Sequence, residues 1–197
     1  LALSGADTQT THKDESTAIK KPTSAAAPAG NTWFNQQALI DAGMGPTAAQ
    51  QLKTQFEELE LAKLYLRDQA IREGWAQGKR YRDERLKLDS QTDNIKQEFG
   101  EDIYDAYLYA SGQSNRVAVQ SVLSGSAASN AGLLADDQVI RYSGQRIYNW
   151  RDLRNATTEG DLTDTVAIEI LRDDKRLEFY VQRGPLGIRM TSVSEAP

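Results

Sequence analysis

Cysteine is absent from the 197 residues, so neither a disulfide scaffold nor a cysteine-held zinc site can form. Histidine occurs once, as His12. A paired-histidine zinc hydrolase motif is thereby excluded, and so is a Ser-His-Asp triad unless the N-terminal stretch supplies its base. No run of 18 apolar residues exists, so nothing in the sequence reads as a bilayer-spanning helix. A phosphate-binding loop is missing too, because Gly43-Met44-Gly45-Pro46 lacks the lysine and the spacing. Positive charge is in the minority: 23 Lys and Arg stand against 28 Asp and Glu, a net charge of -5 that argues against nucleic acid as the main partner. What is present is 39% hydrophobic residues with a mean hydropathy of -0.60. That supports a modest core and leaves some chain outside it.

Residues 1–32 hold no aromatic residue and two prolines, Pro22 and Pro28. A Thr, Ser, Ala, Lys and Asp stretch without apolar period cannot bury enough surface to offset its chain entropy, so 1–32 is expected to be a disordered linker. Its start, Leu1-Ala2-Leu3-Ser4, is open to two readings. One is the stub of an upstream signal or membrane anchor with this linker as tether; the other is an arbitrary boundary. His12, alone in a solvated tail, reads as neither metal ligand nor catalytic base.

Residues 33–112 read as a helical segment. A short helix is expected over Phe34–Ala42, broken at Gly43-Met44-Gly45, with Pro46 suited to the first turn of the next. From 47 to 73, Leu52, Phe56, Leu59, Ala62, Leu66 and Ala70 form one stripe of an amphipathic helix about 40 Å long. Leu61, Leu64 and Tyr65 widen that stripe, which predicts more than one neighbour and leaves room for self-association. Arg80–Leu88 is a charged helix whose interleaved acids favour ion pairing over nucleic-acid contact. Ser90 opens a turn containing Ile95 and Phe99, Gly100 breaks the chain, and Glu101–Ala110 carries an aromatic face of Ile103, Tyr104 and Tyr107, expected to pack on the next domain. The acids Glu57, Glu58, Glu60, Glu101 and Asp102 sit at helix starts and solvated faces, not in a spacing for glycoside chemistry. No metal ligand set or cofactor motif emerges.

From Arg116 the period changes to two. Strands are expected at Arg116–Leu123, Asp137–Tyr142, Gln145–Ile147, Thr165–Leu171 and Arg176–Val181, with the last two joined as a hairpin. Ser126 caps a short helix ending at Gly132, and Asn149 caps a helix over Trp150–Thr157. The stretch Ser126-Ala127-Ala128-Ser129-Asn130-Ala131-Gly132-Leu133-Leu134-Ala135-Asp136-Asp137-Gln138-Val139-Ile140 resembles the PDZ domains in their bacterial form: Ser-Pro-Ala, Ala-Gly-Leu, then Gly-Asp and an apolar strand. Ala127 replaces the family's proline. Asp136 replaces a glycine, which strains a turn that suits a residue without a side chain. The resemblance covers about 116–191, with 192–197 as a C-terminal tail, and implies an α+β fold: a helical segment followed by a small PDZ-like β-sandwich or barrel with two short helices.

The family's carboxylate-binding loop normally comes early, whereas here a similar string, Pro185-Leu186-Gly187-Ile188, comes last. This is similar to the circularly permuted order of PDZ domains in envelope site-2 metalloproteases. The resemblance implies that the Leu186, Gly187 and Ile188 amides converge on a peptide carboxylate. A strand over Ile188–Thr191, including Met190, would take the peptide by β-augmentation, and Trp150, Leu153 and Ala156 would supply the helix side of the groove. An alternative stays open, in which the loop only closes the sheet and the groove is occluded.

Two function classes follow. The first is a non-enzymatic adaptor of the bacterial cell envelope or periplasm that binds a protein or peptide tail or edge strand, with no catalytic residue, metal or cofactor. The second is the regulatory fragment of an envelope protease whose catalytic part lies elsewhere. Ser124, Ser126 and Ser129 have no histidine to activate them, and no serine sits in a strained nucleophile elbow.

Overall fold

The computed structural model describes residues 33–197; the expectations for 1–32, including His12, lie outside the described residues. The helical segment comprises α1 (Gln36–Asp41), α2 (Pro46–Arg72), α3 (Lys79–Asp89), a 3-10 turn (Ser90–Thr92) and α4 (Asp93–Ala110). Pro46 opens α2 at its first turn, as its fixed φ and missing N–H favour. Residues 93–99 are helical where only a turn was expected, and the chain kinks at Gly100 with φ 86. Ser90 does not cap this helix. It ends α3, and its hydroxyl donates to the Lys87 carbonyl at 2.9 Å.

Leu39, Leu52, Phe56, Ile95, Ala106 and Tyr107 belong to the core of this segment. Tyr107 packs among Phe34 and Phe56, with ring centroids 5.8 and 6.4 Å away, so it serves the helical core and not the neighbouring sheet. Leu61, Leu64 and Tyr65 lack the neighbour expected for them: they are 50%, 50% and 66% exposed. Among the described residues no helix is long and apolar enough to cross a membrane.

After a five-residue link the chain forms β1 (Arg116–Val122), α5 (Ala127–Ala131), β2 (Gln138–Tyr142), β3 (Gln145–Arg146), α6 (Trp150–Thr158), β4 (Thr165–Arg172), β5 (Lys175–Gln182) and β6 (Ile188–Val193). The strands make one antiparallel sheet in the order β5-β4-β2-β1-β6, with β3 on β2. The β2–β3 turn has positive φ at Ser143 and Gly144, and the β4–β5 turn at Asp173 and Asp174, the twist that two-residue hairpins require. Asp136, at φ 70, carries the left-handed conformation expected where the family has glycine. Its neighbour Asp137 is fully buried, accepting from the Leu134 N–H at 2.8 Å and from Arg172 at 2.6 and 2.8 Å. Val117, Val139, Ile147, Leu153, Ile168 and Ile170 lie in a second core under this sheet.

A buried polar cluster joins the two parts. Asp105 of α4 accepts from Arg116 at both carboxylate oxygens, from Arg146 at 2.9 Å and from Asn115 at 3.0 Å. Burial pushes the Arg146 pKa down, an effect that Asp105 opposes and the neighbouring Arg116 reinforces. Nearby, Tyr104 meets Tyr148 edge-on at 5.0 Å and Glu101 pairs with Arg141 of β2. Tyr104 thus packs on the next domain as expected, through these contacts.

Candidate functional site: an open strand edge beside a helix

β6 ends the sheet, pairing with β1 on one side only. The Leu123 N–H donates to the Gly187 carbonyl at 2.8 Å, which makes Val122 and Ile188 a non-hydrogen-bonded pair of the ladder. The Ile188 N–H and C=O therefore point away from β1, to the free edge. Residues 188 and 190 share a parity, and both side chains pack against the sheet core. The loop before β6 adds two more donors: among the described residues no acceptor takes the Leu186 or Gly187 N–H. Three successive amides thus stand unclaimed at one end of an open strand, the arrangement that receives an anion or a chain end.

α6 faces this edge. Its start is fixed by a capping box: the Asn149 side chain accepts from the Arg151 and Asp152 amides, and the Asp152 carboxylate accepts from the Asn149 N–H. The Trp150 N–H donates to the Ser192 Oγ at 3.2 Å, so helix and strand touch at that end. Between them lies a cavity of about 400 Å³. A larger cleft, about 540 Å³, opens between α2 and the start of α4, but its walls include core residues Leu52, Phe56 and Tyr107 and it borders no free strand edge.

Of the residues singled out from the sequence, Trp150, Leu153, Leu186, Gly187, Ile188 and Met190 all line the 400 Å³ cavity. Ala156 does not; it is 2% exposed and belongs to the core under the sheet. Arg154, Thr157 and Pro185 line the cavity and were not singled out. The series 150, 154, 157 is itself a helical spacing and was legible as a second flank of α6.

Gly187 has a role that the sequence does not show. Its φ is 71, and a Cβ there would stand 2.3 Å from the Ser126 Cβ, the cap residue of α5. The glycine lets the loop lie on α5, where the Ala128 N–H donates to the Leu186 carbonyl at 3.0 Å. Below the loop the Tyr142 hydroxyl is buried beside the Gly184 amide without a well-formed hydrogen bond, and burial raises its pKa.

A search of curated proteins finds no match to this chain. Among solved structures, the PDZ domain of an SdrC-like protein from Listeria monocytogenes is 20% identical, covering 39% of this chain and 87% of that one, with a TM-score of 0.35. The corresponding domain from Listeria innocua is 24% identical over 39% and 93%, also at 0.35. A Geobacillus thermodenitrificans protein solved in solution is 30% identical over 36% and 80%, at 0.32. The profile of the PDZ domain family matches residues 83–182, from within α3 to the end of β5, just over half the chain. The chain belongs to the PDZ domain family.

Proposed function

We propose that this protein is a non-catalytic adaptor that captures a peptide C-terminus in the groove between β6 and α6. The family membership supports a protein-interaction module. The observation that carries the finer reading is the free edge of β6, with unclaimed amides at Leu186, Gly187 and Ile188, above an apolar cavity. An incoming strand pairs with the Ile188 edge, its carboxylate meets the loop amides, and its last side chain enters between Leu153, Leu186 and Thr157. In this reading the loop and strand that open other PDZ domains close this one, a circularly permuted order. The family match ends at Gln182, so the groove strand is assigned from the sheet alone. The bacterial envelope is the proposed setting, on the tether-like composition of residues 1–32.

Affinity is expected to be roughly micromolar, about -8 kcal/mol. A few strand hydrogen bonds at about 1 kcal/mol each and one filled pocket at about 1.5–3 kcal/mol are offset in part by ordering the peptide. The test is a C-terminal peptide library read by fluorescence polarisation, with each hit compared as free acid and amide. Free acids should bind at least tenfold more tightly. Equal binding would sink carboxylate recognition. Thr157→Trp, on the helix flank of the cavity, should abolish binding while melting temperature holds.

A further inference from the structure

The cleft of about 540 Å³ in the helical segment is separate from the groove and built from different chemistry. α3 buries no residue of its own, and Lys63 of α2 reaches its last residue, Asp89, at 3.0 Å. A helix held by charge fills little of the space beside α2, and the cleft opens there. Its floor is apolar, with Leu52, Leu59 and Ile95 all buried. Tyr107 stands in the wall, only 2% exposed. Its ring packs on Phe34 and Phe56, but among the described residues nothing bonds to its hydroxyl, and protein does not seal that oxygen off. Two exposed carboxylates complete the lining, Glu58 of α2 and Glu98 of α4. Most acids of the helical segment hold a Lys or Arg, whereas among the described residues these two do not. Asp41 and Asp102 are unpaired as well, but Asp41 accepts from the Gln37 side chain and Asp102 is exposed outside the cleft. Free carboxylates alone mark nothing. Here they stand over an apolar floor with an unpartnered, buried hydroxyl in its wall, the combination that pockets for small organic molecules use.

Each feature selects one part of a ligand. The carboxylates attract a cation and repel an anion. Among the described residues no group of three acids or histidines is placed to hold a metal ion, so the cation is an organic one. The floor favours an apolar body, and the Phe56 and Tyr107 rings in the lining favour an aromatic one. Burial, reinforced by the Glu60 charge, raises the Tyr107 pKa, so the hydroxyl stays neutral and its oxygen can accept from an N–H. We infer that the cleft is a binding site of its own, for a small arylalkyl amine whose ammonium group pairs with Glu58 and Glu98 and whose ring N–H donates to the Tyr107 hydroxyl. The groove plays no part in this site.

Tryptamine is the probe, with tryptophol as its neutral and indoleacetate as its anionic counterpart. Each is titrated into the isotope-labelled full chain at low salt and followed by amide shifts in NMR. Tryptamine should shift the amides of Leu59, Ile95 and Glu98 and bind about three- to tenfold more tightly than tryptophol, the scale of one or two exposed ion pairs. Indoleacetate should bind more weakly still. Glu58→Gln combined with Glu98→Gln should erase this ranking, and about 0.5 M salt should shrink it. Methylating the ring nitrogen of tryptamine should weaken binding about threefold in wild type and change nothing in Tyr107→Phe. That variant should melt no lower than wild type, because it removes a hydroxyl without a partner. A lower melting temperature would show the hydroxyl to be bonded within the protein, and would overturn the site. So would equal binding of the three indoles, a ranking that survives the double substitution, shifts confined to α6 and β6, or no binding of tryptamine at low-millimolar concentration. None of these results bears on peptide capture, which the free-acid and amide comparison tests separately.

Discussion

Gly187 shows how one residue can serve packing and recognition together. The resemblance places its amide at a peptide carboxylate, and its φ of 71 is a conformation that suits glycine. Its closest constraint is nevertheless Ser126, 61 positions earlier, and no local pattern reports a contact across that separation. Gly187→Ala should destabilise the protein by about 2–4 kcal/mol, combining a left-handed backbone penalty with a forced contact. Adding Ser126→Gly should return the steric part and leave the backbone part, a coupling that denaturant melts of the four variants would measure. If the two changes add with no coupling, the Ser126 contact is not what holds the glycine in place. Loss of peptide binding in any Gly187 variant therefore says little about the groove, whereas Thr157→Trp addresses it from a half-buried helix position.

Helices and strands were legible wherever a period ran long enough. The α2 stripe over Leu52, Phe56 and Leu59 predicted both its limits and its buried face. The limits of that reading are physical. Periodicity reports that Leu61, Leu64 and Tyr65 share a flank, not that anything covers it, and they are exposed. It groups Leu153 with Ala156 because both face the core, while the cavity lies along the adjacent flank of α6. Residues 93–99 read as a turn because a glycine follows, yet they are helical, while the non-helical φ and ψ of Gly100 divide α4 in two at the break expected there. Beyond that kink, Glu101 reaches Arg141 of β2. Burial works to raise the Glu101 pKa, but the Arg141 bond and charge, helped by Lys96, hold it below the usual carboxylate value. A depressed folded-state pKa gives stability that is present above the unfolded value and is lost as pH falls through the folded one. Glu101→Gln should therefore lower stability at pH 7 and have little effect near pH 2, where wild type is protonated too. A deficit of the same size at both pH values would assign the effect to packing instead of charge.

At the scale of the molecule, the two apolar cores are joined by charge. Asp105 sits 4% exposed between Arg116 and Arg146, so its removal leaves two buried guanidinium groups without their shared anion. Asp105→Asn should cost about 3–5 kcal/mol. Wild type is expected to melt in one calorimetric transition, and the variant in two, helices and sheet separately. A single unshifted transition in Asp105→Asn would mean that the cluster does not bind the halves together. Asn115 extends the same cluster to the end of the chain, donating to the Glu195 carbonyl at 2.9 Å and accepting from its N–H at 2.9 Å. The unclaimed amides of the loop before β6 have a consequence of another kind. On the proposed reading they close the end of the groove at which a carboxylate stops, so a chain terminus fits there and a segment that continues past them does not. The protein then responds to how many ends a partner population offers, and every cut in a long chain creates a new one. Proteolysis would thus multiply its ligands at constant total mass.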